Sequence, residues 1–216
     1  MRCRMCPRLV AWREEVARTK VRRYRDEEYW GRPIPGFGDP EARLVLVGLA
    51  PAAHGGNRTG RIFTGDRSGD WLYGALYAFG FANQPTSRHR EDGLALKDAY
   101  VTAAVRCAPP ANKPTRDEMD ACRPYLVREL VLLGCARVVV ALGKIAFDAY
   151  LQARREMGLE VPRPLPRFGH GKACVLSGGV SLIASFHPSQ QNTQTGRLTR
   201  AMFHGVFRRA RRILED

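Results

Sequence analysis

His187 is the residue of this sequence best suited to acid, base or hydrogen-bond chemistry. It stands directly after the apolar run SLIASF and opens the segment HPSQQNTQTG. An imidazole at the end of a strand can donate a hydrogen bond to an atom on which negative charge gathers during a reaction. The plainer alternative is a ring that only satisfies a carbonyl at the strand end.

Four cysteines have a spacing typical of metal ligation. Cys3 and Cys6 form a C-x2-C pair, and Cys107 and Cys122 enclose a polar, proline-containing segment. Four thiolates suit an iron–sulfur cluster or zinc about equally, and the spacing alone leaves both, as well as free thiols, open.

The remaining cysteines, Cys135 and Cys174, lie at or within apolar runs. A small thiol in such a run is ordinarily buried, so we predict that both belong to the core. The N-terminus lacks the apolar segment of a secretory signal, which favours a reducing, cytoplasmic compartment and makes a disulfide framework unexpected.

Composition and charge narrow the class of protein. The chain has 216 residues, of which 44% are hydrophobic and 26% charged, which indicates one folded domain over residues 1–216. Its apolar runs are too short to span a membrane. Lys and Arg number 35 against 21 Asp and Glu, a net charge of +14, which favours a polyanion such as nucleic acid, although a GC-rich genome would also enrich arginine.

The elements that must position these residues alternate along the chain. Apolar runs predict four strands, at 44–48, 100–105, 136–142 and 182–186. Helical patterns cover 7–23, 68–79, a segment to 133 that Thr115 and Glu118 open as a capping box, 144–157 and 199–214. Residues 161–171, VPRPLPRFGHG, are predicted to form a surface loop.

This alternation predicts an α/β fold: a single-domain, three-layer α/β/α sandwich with a central four-stranded parallel sheet. Ligands of such folds bind at the carboxyl ends of the strands. Three segments with unusual composition follow predicted strands there, namely GLAPAAHGGN, RCAPPANK and HPSQQNTQTG.

Taken in order, the C-x2-C pair, GLAP with HGGN, IFTGDRSGDWL, YVTAAVRCAPPANK and HPSQQN extend from one end of the chain to the other. This pattern resembles the uracil-DNA glycosylase superfamily, and within it the iron–sulfur family 5, or type B. Each motif alone is weak, but their common order is specific.

The resemblance implies a monofunctional DNA repair enzyme of base excision repair. Such an enzyme flips a deaminated base out of DNA and hydrolyses its N-glycosidic bond, leaving an abasic site. It implies a structural 4Fe-4S cluster held by Cys3, Cys6, Cys107 and Cys122. The expected partner is DNA, double-stranded and also single-stranded, bound by a monomer in the cytoplasm and associated with the nucleoid.

The resemblance also implies roles for the reacting groups. His187 would donate a hydrogen bond to uracil O2 as the glycosidic bond breaks. Many members carry an acid where this chain has Ala50, so Asp70 in SGDWL is our candidate substitute, its alternative being a plain helix-start carboxylate. The backbone of residues 50–53 and Asn57 could orient the attacking water instead. His54 is a further candidate for that role, and its alternative is to bind a phosphate.

The predicted substrate pocket departs from the stricter uracil enzymes. Phe63 matches the aromatic residue on which the base stacks, and Ala103 stands where an Asn reads the pyrimidine edge. We therefore expect relaxed specificity that includes hypoxanthine, ethenocytosine and 5-modified uracils. Ser189 is expected to hold a phosphate. The complete predicted substrate-binding set is Ala50, Pro51, Ala52, Ala53, His54, Asn57, Phe63, Ala103, Ser189, Gln190, Gln191 and Asn192.

Because the usual acid is missing at Ala50, a second hypothesis stays open. The chain could be a catalytically weak iron–sulfur protein of the same fold that binds DNA or senses redox state.

Overall fold

The sheet at the centre of the molecule is built from short runs of valine, leucine and alanine, which favour a strand buried on both faces. The computed structural model describes residues 2–216, and Met1, the first residue of the predicted domain, lies outside them. The six strands within residues 2–216 are β1 (Phe37–Gly38), β2 (Leu44–Gly48), β3 (Ala99–Ala103), β4 (Val138–Leu142), β5 (Ala173–Val175) and β6 (Ser181–Ser185).

The strand order is β1-β3-β2-β4-β6-β5. The four inner strands pair in parallel, which confirms the predicted parallel centre. The sheet as a whole is mixed, because β1 and β5 add antiparallel edges that the sequence analysis did not predict. These edge strands have only two and three residues, too few for a recognisable alternation of apolar and polar positions.

Seven α-helices in the described residues surround the sheet. They are α1 (Pro7–Thr19), α2 (Gly56–Thr59), α3 (Arg67–Ala78), α4 (Arg116–Leu132), α5 (Lys144–Glu156), α6 (Gln190–Gln194) and α7 (Arg200–Glu215). Helices α3 and α7 cover one face with a core of Leu72, Phe203 and Phe207, and α4 and α5 cover the other with Leu126 and Phe147. The three-layer α/β architecture is therefore confirmed.

Local signals in the sequence explain several helix boundaries. Thr115 and Glu118 form the predicted capping box of α4, and the Thr199 hydroxyl accepts the Met202 N–H at 3.2 Å to begin α7. The first helix ends at Thr19, four residues earlier than predicted, because Lys20 leaves the helical region with a φ of 53°. None of the helices in residues 2–216 is both long and apolar enough to cross a membrane.

The prediction that Cys135 lies in the core was wrong. Strand β4 begins only at Val138, so Cys135 falls in the preceding turn, where it is exposed and its Sγ lies 3.3 Å from Glu41 Oε2. Cys174 lies on the edge strand β5 and is half-buried.

Candidate active site and cysteine cavity

All three unusual segments lie at the carboxyl edge of the parallel sheet. Segment 48–57 follows β2, segment 106–113 follows β3, and segment 187–196 follows β6. In parallel α/β sheets this edge is where ligands bind, because the strand ends and the loops after them leave a crevice.

Phe63 and His187 lie side by side at this edge. Their ring centroids are 5.7 Å apart and the ring planes are inclined by 31°. The Phe63 ring also covers the end of β2, since a Cβ built on Gly48 would come within 2.7 Å of Phe63 Cε2. Gly48 is therefore required by close packing. The Phe63 side chain is nearly fully buried.

Phe63 is held in a backbone conformation that L-residues rarely adopt, with a φ of 51°. Helix α3 supports it on both sides. The Tyr73 hydroxyl donates to the Ile62 carbonyl at 2.8 Å, and Gly69 leaves room for the Phe63 carbonyl, which a Cβ there would approach to 1.9 Å. Such strain persists only where the surroundings fix it, and it concentrates at functional sites.

The main chain around His187 is held by side chains of other residues. The Asn192 amide Nδ2 donates to the His187 carbonyl at 2.9 Å, and Ser185 Oγ donates to the Phe186 carbonyl at 2.9 Å. Asn192, predicted to contact DNA, thus also fixes the peptide of His187. Burial lowers the pKa of His187 to about 4, so the ring is neutral at physiological pH and carries one N–H.

A polar cleft of about 910 Å³ is lined by Gly65 and Gln190, which lie two and three residues after Phe63 and His187, whereas Phe63 and His187 themselves do not line it. Five of the predicted site residues line it: Ala52, Ala53, His54, Asp70 and Gln190. Arginines are the commonest charged residues on its walls, with Arg23, Arg58, Arg67 and Arg88 contributing. Four arginines against two aspartates make the cleft walls positive on balance, which favours an anionic ligand.

The structure offers a second carboxylate in the cleft, one that the sequence analysis missed. Asp66 caps α3 by accepting the Gly69 N–H at 2.9 Å, and its other oxygen lies against Gly55, where a Cβ would approach it to 2.1 Å. Burial raises the pKa of Asp66. Asp70 lies one turn further along α3 and is exposed.

The loop after β2 is hydrogen-bonded to helix α1. Asn57 is fully buried, and its Nδ2 donates to the Arg13 carbonyl of α1 at 3.2 Å, while its Oδ1 accepts no hydrogen bond from residues 2–216. The Tyr29 hydroxyl and His54 Nδ1 lie 3.1 Å apart. Burial lowers the pKa of His54, with Arg58 adding to the effect.

The other predicted substrate-binding residues occupy two surroundings. Ala103 ends β3 within the same core cluster as Phe63, whereas Ala50 packs against the cysteines. Pro51 is buried close to Gly56. Ser189 caps the short helix α6, on which Gln190 and Gln191 are exposed at the surface. Asn112, in the segment after β3, also lines the cleft and has a φ of 56°.

Cys3, Cys6, Cys107 and Cys122 line one largely apolar cavity of about 100 Å³. The fold therefore brings together four cysteines from the chain start, the segment after β3 and helix α4. The walls include Leu9, Val105 and the exposed Tyr125. Within residues 2–216, no three Cys, His, Asp or Glu side chains are close enough to hold a single metal ion.

A buried guanidinium lies against these cysteines. Arg13 is 3% exposed, and it donates from Nη1 to Cys107 Sγ at 2.8 Å and from Nη2 to the Cys3 carbonyl at 3.0 Å. The Arg106 N–H donates to Cys122 Sγ at 3.3 Å. In this thiol form, burial raises the pKa of Cys122 to about 11.

Comparison with known proteins identifies the class to which this fold and site belong. The family model described as "Uracil DNA glycosylase superfamily" matches residues 35–211, and the chain is a member of that superfamily. Within it, the chain is similar to proteins named "Type-5 uracil-DNA glycosylase". That of Thermus thermophilus is 56% identical over 211 residues, 98% of this chain and 93% of the relative.

Two further relatives place this similarity in context. The "Type-5 uracil-DNA glycosylase" of Mycobacterium leprae is 52% identical over 212 residues, covering 98% of this chain and 91% of the relative. A "Type-4 uracil-DNA glycosylase" of Pyrobaculum aerophilum is 32% identical over 168 residues, covering 75% and 74%.

Proposed function

We propose that this chain is a type-5 uracil-DNA glycosylase that hydrolyses the N-glycosidic bond of uracil in DNA and leaves an abasic site. The observation that carries the proposal is the neutral His187 beside Phe63 at the carboxyl edge of the sheet, where the segments that follow these two residues also line an arginine-bearing cleft. Superfamily membership and the type-5 relatives support the same reaction.

The chemical problem is to let uracil leave as an anion. When the bond between C1′ and the ring nitrogen breaks, its electron pair moves onto the pyrimidine and the sugar becomes an oxocarbenium-like cation. A hydrogen bond from His187 to the ring oxygen that gains this charge stabilises the transition state more than the ground state. A neutral imidazole suits this donor role and keeps its proton afterwards.

Water completes the reaction by adding to C1′ and losing a proton. Asp66 is our proposed carboxylate for this step, because it lines the cleft and one of its oxygens remains beside Gly55 while the other caps α3. Its negative charge would also favour the cationic sugar. Asp70 then has the role of a surface carboxylate at the start of α3. We keep Asn57 as the alternative group for orienting the water, since its buried Oδ1 accepts no hydrogen bond from residues 2–216.

The arginines of the cleft supply the contacts to DNA. Phosphates on either side of the flipped nucleotide would be bound by Arg23, Arg67 and Arg88, and a neighbouring groove with Arg200 and Trp71 extends this surface. We propose that the protein acts as a monomer on double- and single-stranded DNA in the cytoplasm, in association with the nucleoid.

Base specificity is proposed to be relaxed. The methyl group of Ala103 cannot form the hydrogen bonds to a pyrimidine edge that an Asn side chain would provide. Discrimination then depends on stacking and shape, which tolerate hypoxanthine, ethenocytosine and 5-modified uracils.

We further propose that Cys3, Cys6, Cys107 and Cys122 hold a 4Fe-4S cluster. The buried Arg13 guanidinium fits this assignment. Besides Glu14 Oε1 at 3.8 Å, it contacts Cys107 Sγ and the Cys3 carbonyl, so cysteine thiolates would add negative charge beside a buried cation. Four thiolates around a cluster carry net negative charge and accept N–H bonds at sulfur. Zinc held by the same four thiolates is the alternative, and iron, sulfide and zinc analysis distinguishes the two. Once bound, the cluster supplies a rigid cross-link and takes no part in hydrolysis.

Alkali treatment of a uracil-containing duplex tests the proposed function. Incubation of the protein with an end-labelled duplex that carries one uracil should yield strand scission at that position after alkali, and a duplex with thymine there should stay intact. Binding without scission at uracil, hypoxanthine and ethenocytosine would instead support a DNA-binding or redox-sensing protein.

A further inference from the structure

His170 bridges two elements that meet beside the candidate active site. It lies in the loop between α5 and β5, and its Nδ1 accepts the Phe186 N–H at 3.1 Å. Its Nε2 lies 3.2 Å from the Met202 carbonyl in the first turn of α7. The imidazole therefore connects the residue before His187 with the helix that covers this face of the sheet.

These two contacts fix the protonation of the ring. An N–H can be accepted only by an unprotonated nitrogen, so Nδ1 is bare and Nε2 carries the hydrogen that Met202 receives. Burial lowers the pKa of His170, which keeps the ring in this neutral form.

The bond to Phe186 takes over where backbone pairing ends. Strands β5 and β6 are extended by hydrogen bonds from Gly171 N to the Ala184 carbonyl and from Ala184 N to the Lys172 carbonyl, each 2.8 Å long. On the edge of β6 that faces β5, the next N–H after that of Ala184 belongs to Phe186. Its acceptor is the His170 side chain and not a backbone carbonyl. A half-buried N–H without an acceptor would cost stability, so this contact holds the peptide in place.

We propose that His170 is a positioning residue for His187, an inference that rests on the proposed function. His187 must direct one N–H at a base atom, and its backbone direction is set by the Phe186 peptide. Small misplacements of a reacting group lower rates strongly without weakening substrate binding in proportion. The Phe186 ring keeps two partners when His170 is replaced, because Phe168 and Arg197 also contact it.

Two substitutions separate the two bonds of His170. In His170→Asn the amide oxygen lies where Nδ1 was and still accepts the Phe186 N–H. In His170→Gln the longer amide matches Nε2 and reaches Met202 but leaves the Nδ1 position empty. We expect single-turnover uracil excision to fall by about tenfold or more in H170Q and to stay within about threefold of the parent in H170N.

DNA affinity and Tm should be nearly equal in both variants. The Phe186 amide should exchange with solvent faster in H170Q alone, as followed by NMR. Equal rates in both variants, whether unchanged or equally reduced, would overturn the assignment. His187→Ala is measured alongside: if it does not slow excision, the proposed function fails, whereas a slow H187A with a fully active H170Q refutes only the role of His170.

Discussion

At the scale of single residues, Asp66 combines two tasks that conflict. Its carboxylate caps α3, yet burial disfavours the charged form and raises its pKa. A carboxyl group whose folded pKa is raised costs stability once pH exceeds its ordinary value, and that cost persists at neutral pH. A purely structural cap would gain from being Asn, which caps helices as well as Asp does.

Replacement of Asp66 by Asn therefore separates function from stability. We expect D66N to excise uracil about a hundredfold more slowly, because the amide cannot take a proton from water, and to melt at the same or a higher temperature at pH 7. The matched variant D70N should remain within a few-fold of the parent in single-turnover assays. Slow excision by D70N with normal excision by D66N would restore Asp70 to the mechanism.

The sequence pointed to His187, whose motif follows an apolar strand, and to Asp70, which lines the cleft, but it gave no indication of Asp66. Asp70 has the more conspicuous position, in the first turn of a predictable helix. Asp66 is distinguished by burial against Gly55, a residue eleven positions away in a different loop. Contacts of this kind depend on how two loops meet, and no local pattern encodes them.

At the scale of elements, an ion-paired network holds the loop that carries Phe63 and Asp66. Buried Arg61 donates to both Asp92 oxygens at 2.7 Å, to Ser87 Oγ at 2.8 Å and to Thr64 Oγ1 at 3.0 Å. Burial alone would raise the pKa of Asp92, but Arg61 and backbone N–H groups outweigh it and lower the pKa to about 2.

Because the folded pKa of Asp92 lies below its ordinary value of 3.8, the pair stabilises the fold above that pH and loses its effect as pH falls towards 2. We expect Asp92→Asn to lower the free energy of unfolding at pH 7 by about 3 kcal/mol, since it leaves a buried cation without its counter-charge. The difference from the parent should shrink between pH 4 and pH 2. Urea titrations at several pH values measure it, and a difference independent of pH would contradict the argument.

Helix α1 is held by contacts of two kinds, the cysteines that line the cavity and the Arg8–Glu118 ion pair. We expect the parent protein to be brown and to contain about four iron and four sulfide per chain. Cys6→Ser should lose the colour and melt at a lower temperature, because ligation ties α1 to the segment after β3 and to α4. Cys135→Ser is the control, since Cys135 is exposed and away from the cavity, and it should keep both. One zinc per chain in a colourless parent would refute the cluster.

The elements themselves were largely predictable. Each inner strand lies within two residues of its predicted bounds, because continuous apolar runs between turn residues specify buried parallel strands. The capping box of α4 was likewise predictable from Thr115 and Glu118. The edge strands β1 and β5 were not predictable, because they are defined by pairing with β3 and β6 and not by a pattern of their own residues. Cys135 was misassigned for a related reason: the apolar run extends past the residues that actually pair.

At the scale of the whole molecule, the net charge of +14, with four arginines on the cleft walls, should make DNA binding sensitive to salt. Arg88 lines the cleft, whereas Arg155 is exposed at the end of α5, on the other face of the sheet. We expect Arg88→Gln to reduce the slope of log Kd against log salt by about one, and Arg155→Gln, which removes the same charge, to leave it unchanged. Equal effects would mean that net charge alone governs binding.

The central claim is that a neutral His187 accelerates loss of uracil by stabilising charge on the departing ring. Single-turnover excision by His187→Ala, measured together with its Kd for the same uracil duplex, tests this most directly. The account predicts a rate lower by about a hundredfold or more with nearly unchanged affinity. A rate equal to that of the parent, or a loss explained entirely by weaker DNA binding, would contradict it.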